Sequence, residues 1–265
     1  MSGEINYKVS ILVANYNNEI YLDNCLNSLL NQSYKNFEVI VIDDKSSDQS
    51  LEVLKKYKEK ILIAQKEYDK TEVGSYDQIA SYYEALKIST GEIIFLCDSD
   101  DYFDQYKIEN VVNKFNENQN YKMVYDFPIL KFSENNKFLK RKKKLFKNYW
   151  SHFQPTSCIS IKRKELLNYY NSISFNNFPD IWLDFRLGVL SKYIFKNLVF
   201  VNKNLTFYRQ TKTNISSKFK FLSKNWWIRR AQAHDYIIFF FEKNNIQHVK
   251  NLDFFVTKFI NKYFL

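Results

Sequence analysis

A chain of 265 residues that is 45% hydrophobic can bury the core of one substantial α/β unit and hardly two independent ones. Its 39 lysines and arginines outnumber 29 aspartates and glutamates, and the net charge of +10 favours anionic partners such as nucleotides, diphosphate-linked lipids, phospholipid head groups or nucleic acid. Cys25, Cys97 and Cys158 lack CxxC spacing, which speaks against a zinc site or disulfide framework and for a reducing, cytoplasmic setting; the polar start Met1–Lys8 is unlike a secretory leader, and no apolar run approaches the ~18 residues that cross a bilayer.

In chain order, Val9–Ala14 is a β-branched apolar run suited to a strand buried on both faces, and Asn15–Asn18 breaks it. Leu22, Leu26, Leu29 and Leu30 repeat at helical spacing, and Phe37–Ile42 forms a second buried strand ending at Asp43-Asp44, which completes a βαβ unit. Ser46-Ser47-Asp48 is placed to cap a helix through Leu51 and Leu54, followed by a third strand at Ile61–Ile63. A helix around Gln78–Ser89 is expected to stop near Gly91, and a fourth strand, Ile93–Leu96, delivers Asp98, Asp100 and Asp101.

Beyond the basic run Lys140–Lys144, Ser157–Ile161 reads as a strand, Trp182–Leu190 as a helix and Leu198–Val201 as a short strand. From about Lys218 the chain is helical and rich in aromatics. Alternation of strand and helix predicts an α/β fold, a doubly wound, mostly parallel sheet flanked by helices, with ligands bound beyond the carboxyl ends of the strands. Both Asp43-Asp44 and Asp98-Ser99-Asp100-Asp101 sit at such ends.

Carboxylates clustered after a buried strand suit a hard divalent cation, because Mg²⁺ or Mn²⁺ takes oxygen ligands and commonly combines one or two carboxylates with substrate phosphates. A cation there neutralises charge on a departing diphosphate. An acidic turn that merely caps the next helix is the competing explanation for the same residues.

The segments Val9–Asn17, Leu29–Asp44 and Phe95–Asp101, in this order and at these separations, resemble glycosyltransferase family 2. That resemblance implies a GT-A fold over residues 1–217, with a nucleotide-sugar half to about residue 125, an acceptor half over 126–217, and a C-terminal helical extension over 218–265. It also implies an inverting sugar transfer from a nucleoside-diphosphate sugar, a UDP-sugar by expectation, to a surface glycan or lipid-linked acceptor. In relatives the residues matching Ala14, Tyr16 and Asp44 line the nucleoside pocket, Gln78 falls on a donor-contacting loop, and Asp98, Ser99, Asp100 and Asp101 form the metal and diphosphate end. Where many relatives carry Arg-Asn this chain has Tyr82-Tyr83.

An inverting transfer needs one general base near the acceptor hydroxyl. Phe178–Arg186 resembles the family's Glu-Asp motif, in which the Asp is followed six residues later by Arg; Asp180 is the expected base, Asp184 the runner-up, and Pro179 stands where Glu is usual. Tyr208–Ser216 resembles the family's later Tyr-Arg loop, with Thr211 in the place of a frequent His, so Arg209 or Lys212 is expected to meet the diphosphate. His152, His234 and His248 are scattered and read as structural or exposed.

Lys140–Lys144 suits either an anionic membrane surface or plain solvent, and Trp226–Arg230 with Phe239–Phe241 suits either an interfacial helix or a helix packed onto the domain. No nucleic-acid-binding module is recognisable. Two other functions stay open at this stage: nucleotidyl transfer, disfavoured because Asn15–Asn18 is no glycine-rich phosphate loop, and a non-catalytic nucleotide-sugar or membrane-surface binding module.

Overall fold

The structure, a computed structural model, describes residues 5–66, 71, 73–132, 137–140, 154–172, 177–211, 219–248 and 250–265. In chain order its elements are β1 (Val9–Asn15), α1 (Glu19–Leu30), β2 (Phe37–Asp43), α2 (Ser50–Lys55), β3 (Leu62–Gln65), α3 (Gly74–Ile88), β4 (Ile93–Asp98), β5 (Tyr102–Phe103) and α4 (Lys107–Glu117). There follow β6 (Met123–Phe132), β7 (Phe138–Lys140), β8 (Ile159–Lys162), α5 (Arg163–Ser172), α6 (Leu183–Leu190), β9 (Val199–Gln210), α7 (Lys224–Lys243) and α8 (Leu252–Tyr263).

One mixed sheet runs β3-β2-β1-β4-β8-β6-β9-β5, with β7 on β6. The first four strands are parallel neighbours, in register from Val9 beside Phe37 and Ile93 to Ala14 beside Ile42 and Asp98. β8 then runs antiparallel to β4 and β6, while β9 is parallel to β6. The sheet is buried on both faces, as the uninterrupted apolar runs predict. Val9, Ile11 and Val13 meet Leu22, Leu26 and Leu29 of α1 and Val111 of α4. Leu12, Ile40 and Leu96 meet α3, α5, α6 and the α7 residues Tyr236 and Phe240 on the other face.

Three local expectations change. Gly91 does not end a helix, because α3 stops at Ile88; it sits where a Cβ would fall 2.4 Å from the backbone nitrogen of Ser10, so the close approach of the β4 entry to β1 demands glycine. Asp48 caps two helices at once, accepting from the backbone nitrogens of Glu19 at 2.9 Å and Ser50 at 2.9 Å. β9 is 12 residues long where four were expected, and Ser191–Phe195 continues α6 as a π-helical turn. Of the aromatic C-terminal runs, Phe240 and Phe241 are buried against the sheet, so this part of α7 packs onto the domain.

Candidate active site

The parallel strands place their carboxyl ends side by side. Ala14, at the end of β1, lies beside Ile42 and Asp98, and its carbonyl accepts from Ser99 N at 3.2 Å. Asp43 is fully buried and braces the loop after β1, accepting from Asn15 Nδ2 at 2.8 Å and Ser46 Oγ at 2.7 Å. Tyr16 is 41% exposed just beyond, an aromatic face at the rim of the strand ends. Asp44 is buried and paired through Oδ1 with Lys66 Nζ at 2.8 Å, and the same ammonium meets Asp77 Oδ1 at 2.8 Å. Burial alone would lower the Lys66 pKa, yet Asp44 and Asp77 together hold it above the usual lysine range. Asp44 is therefore already held by a cation within the protein.

Around Asp98-Ser99-Asp100-Asp101 each side chain has a distinct surrounding. Asp98 Oδ1 accepts from Gln78 Nε2 at 2.5 Å and Tyr82 OH at 2.9 Å. Tyr82 is thus a neutral donor and is fully buried. Ser99 is buried and its hydroxyl accepts from Asn18 Nδ2 at 2.8 Å, which fastens α1 to the loop. Asp101 is fully buried, with Oδ2 accepting from Ser157 Oγ at 2.6 Å and Oδ1 from Arg209 N at 2.8 Å, so both oxygens expected on a metal are engaged within the protein. Ser157 Oγ also accepts from Asp98 N at 2.9 Å, and Lys107 Nζ donates to the Ser157 carbonyl from below.

Asp100 differs. Among the described residues its carboxylate accepts no hydrogen bond from another residue, and burial followed by the neighbouring Asp98 charge pushes its pKa up to about 7. Burial also raises Asp98, against the pull of Tyr82 and Gln78. Asp101 is raised well above the carboxylate range by burial, then by Asp100 and Asp98. Crowded carboxyl groups that resist ionising together, two of them half-exposed, are a donor set that a hard cation fits. No group of three or more His, Cys, Asp or Glu among the described residues is arranged to hold a metal by itself.

Arg209 is 7% exposed and braces the loop. Its Nε donates to the Asp100 carbonyl at 2.7 Å, its Nη2 to Asn24 Oδ1 at 3.0 Å, and its guanidinium carbon lies 4.4 Å from the Tyr21 ring centroid. Lys212 lies outside the described residues, as do Arg141–Lys144, His152 and Thr213–Ser216. His234 is fully buried with Nε2 3.1 Å from Asp253 Oδ2, and His248 packs its ring 5.6 Å from that of Phe241.

On the other side of the sheet end, Arg186 stitches the turn before α6 by donating to the carbonyls of Ile181, Asn177 and Phe178 at 2.9, 3.0 and 2.7 Å. Phe178 itself has φ 64°, a left-handed backbone that those bonds hold in place. Asp180, the expected base, is clamped by Gln232 of α7: Gln232 Nε2 donates to Asp180 Oδ2 at 2.7 Å and Gln232 Oε1 accepts from Asp180 N at 3.1 Å. Asp184 is the carboxyl that shares a field with the acidic cluster. Burial first, then the Asp98 charge, push it up to about 7, against Phe185 N and Arg229. Arg229 stacks between Trp182 and Phe219, at 3.6 and 3.8 Å from their ring centroids, and its pKa is lowered to about 10 by burial, with Asp184 and Asp180 opposing. Tyr208, raised by burial, then feels Asp101, Asp98, Asp100 and Asp184, so all four carboxyls lie within electrostatic range of its hydroxyl.

Lys66, Asp77, Ser157, Gln232 and Arg229 escape a sequence reading, since each acts on a partner 11 or more residues away. Tyr82 was visible as a departure from relatives, but without its donor role. Two surface depressions of about 550 and 560 Å³ lie elsewhere, around Tyr34 and around Lys203.

The arrangement gathers buried and partly buried carboxyls at the carboxyl ends of the central parallel strands, with an exposed aromatic ring on one flank and a raised-pKa carboxyl on the other. The family profile described as Glycosyl transferase family 2 matches residues 10–181. The chain belongs to that family.

The chain is 37% identical over 117 residues to the poly(ribitol-phosphate) beta-glucosyltransferase of Bacillus spizizenii, a match that covers 42% of this chain and 18% of that one. It thus spans less than a fifth of that relative's length. Among solved structures, S. aureus TarS 1–349 in complex with UDP-GlcNAc superposes with a TM-score of 0.58 at 19% identity, over 85% of this chain and 65% of that one. The mannosyltransferase PcManGT of Pyrobaculum calidifontis, in complex with GDP-Man and Mn2+, does so with a TM-score of 0.57 at 15% identity, over 97% of this chain and 70% of that one. These likenesses show the fold.

Proposed function

We propose that the chain transfers a sugar, with inversion, from a UDP-sugar to a hydroxyl of a surface glycan or lipid-linked glycan, using a divalent cation at Asp98 and Asp100. The observation that carries this reading is the confluence, at the carboxyl ends of the central parallel strands, of Asp44 and Tyr16 with the Asp98–Asp101 loop, and of Asp184 within electrostatic range of Asp98. The names of the B. spizizenii relative and of the TarS complex support a UDP-sugar and a polyol-phosphate or related glycan acceptor.

In this reading Tyr16 packs on the base, and Asp44 reads it while Lys66 holds the carboxylate still. Asp98 and Asp100 would hold Mn²⁺ or Mg²⁺, which would supply positive charge to the leaving diphosphate. Gln78 and Tyr82 orient Asp98, while Asp101, through Ser157 and Arg209 N, keeps the loop in shape. Asp184 is the general base: burial, the largest cause, raises its carboxyl toward neutrality, which suits it to take a proton. Asp180, clamped by Gln232, positions the turn that presents Asp184. Arg229 tunes Asp184, and Trp182, stacked on it, offers a flat face to an acceptor ring.

The test is transfer or donor hydrolysis with a panel of UDP-sugars and Mn²⁺. Asp184→Asn should lower kcat by roughly 10²–10⁴-fold, while Asp180→Asn should lower it far less. The reverse order would return the base to Asp180. Donor binding with no turnover under any acceptor would favour the non-catalytic module.

A further inference from the structure

α8 packs on α7 through one side. Phe254 and Thr257 are buried, Asp253 pairs with Arg230 at 2.7 Å and with His234, Lys258 pairs with Asp235 at 2.6 Å, and Asn261 Nδ2 donates to the Trp227 carbonyl at 3.0 Å. Those contacts make the two helices an antiparallel hairpin, with Trp227 near Asn261 and His234 near Asp253.

The opposite side of α8 is apolar and uncovered among the described residues. Leu252 is 78% exposed, Phe255 57%, Phe259 56% and Tyr263 61%. These fall at i, i+3, i+7 and i+11, one stripe of a helix. Phe221, 76% exposed in the turn before α7, comes at the same end as Tyr263 because the hairpin is antiparallel. Single exposed apolar residues are ordinary, but a contiguous aromatic stripe is an interaction surface. Its flanks are basic: Lys250 precedes the helix, Lys262 lies beside Tyr263, and both are exposed.

We propose that this face of α8 is a membrane-docking surface that lies in the head-group plane of an anionic bilayer. Aromatic and aliphatic side chains along the stripe enter the head-group and acyl boundary, and the flanking lysines meet lipid phosphates, as an interfacial amphipathic helix does. Charge decides the occupant. Two copies of a chain with a net charge of +10 repel one another, whereas an anionic lipid surface attracts it. No helix among the described residues is long and apolar enough to cross a membrane, which fits contact in the plane. The surface is one helix away from the Asp180–Asp184 turn, since α7 carries Gln232 on one side and α8 on the other. The inference stands on the exposed stripe and its charge, independently of which sugar or base the site uses.

The experiment is flotation of the whole chain with phosphatidylcholine vesicles, with or without phosphatidylglycerol, across a salt series, beside its solution mass by light scattering. The wild type should float with phosphatidylglycerol-containing vesicles, less with phosphatidylcholine alone, and progressively less as salt rises. Phe255→Ser/Phe259→Ser should lose binding at least tenfold with an unchanged melting temperature, and Lys250→Glu/Lys262→Glu should lose the preference for anionic lipid. Flotation that is absent for every vesicle, or that both double variants leave intact, would overturn the proposal. So would a dimer that the Phe255→Ser/Phe259→Ser change dissociates, because the stripe would then be an interface between copies.

Discussion

Lys66 is the residue on which the Asp44 flank of the site turns. Its side chain has no exposure and is shared by Asp44 and Asp77, so its removal strands two buried carboxylates. Lys66→Met should cost about 3–5 kcal/mol in chemical denaturation, the scale for breaking a buried pair from one side, and should weaken donor binding as well. A loss below about 1 kcal/mol would mean that water reaches the pair. Across the site, Arg229 and Asp184 set up a pH test. Asp184 is faced by Asp98 from the β4 end, by Arg229 from α7 and by Phe185 N from its own helix. Arg229 favours the ionised form, so its loss makes the carboxyl hold its proton to higher pH. Arg229→Gln should therefore move the acid limb of the kcat/KM profile upward by about one unit. An unchanged limb with altered KM would place Arg229 on the acceptor instead of on Asp184.

At the scale of elements, Gly91 shows how tightly the strands are seated. Its amide donates to Ser10 Oγ at 2.8 Å, and an added methyl would meet Ser10 and the Val9 carbonyl carbon within 2.6 Å. Because two of those atoms are backbone, β4 cannot yield cheaply, and Gly91→Ala should destabilise by about 1–3 kcal/mol in urea unfolding while metal-dependent donor binding persists in the folded fraction. The parallel strands were legible because burial on both faces demands unbroken apolar runs, as in Val9–Ala14 and Ile93–Leu96. β6 was not, since it carries Asp126 and Pro128, and its burial is made possible by Lys107, whose Nζ lies 3.4 Å from Asp126, and by Thr206, which donates to Asp126 at 2.7 Å. The acidic cluster was legible as a motif, yet the different surroundings inside it were not: Asp100 and Asp101 are neighbours in sequence, and full burial with bonds from Ser157 and the Arg209 amide sets Asp101 apart. The same holds for the choice between Asp180 and Asp184, which depends on Gln232 reaching over from α7.

At the scale of the whole molecule, the parallel half and the antiparallel half meet along β4 and β8, and the acidic loop leaves the sheet at that seam. Asp98, Asp100 and Asp101 lie together there, and burial with the Asp98 charge outweighs the pull of Arg209 on Asp100, an arrangement that costs the protein stability and that a bound cation would offset. Two consequences follow with opposite signs. Asp100→Asn should raise the melting temperature of the ligand-free chain, because it removes one of three crowded carboxylates. The same variant should lose the response to ligand. For the wild type, a UDP-sugar with Mn²⁺ at about 100 times its dissociation constant adds roughly 2.7 kcal/mol, or about 5–10 °C in a thermal melt. UDP-sugar with a chelator should give little of that shift. A variant that is both more stable when empty and unresponsive to donor plus Mn²⁺ would locate the cation on Asp100; a variant that still responds in full would move it away from that residue.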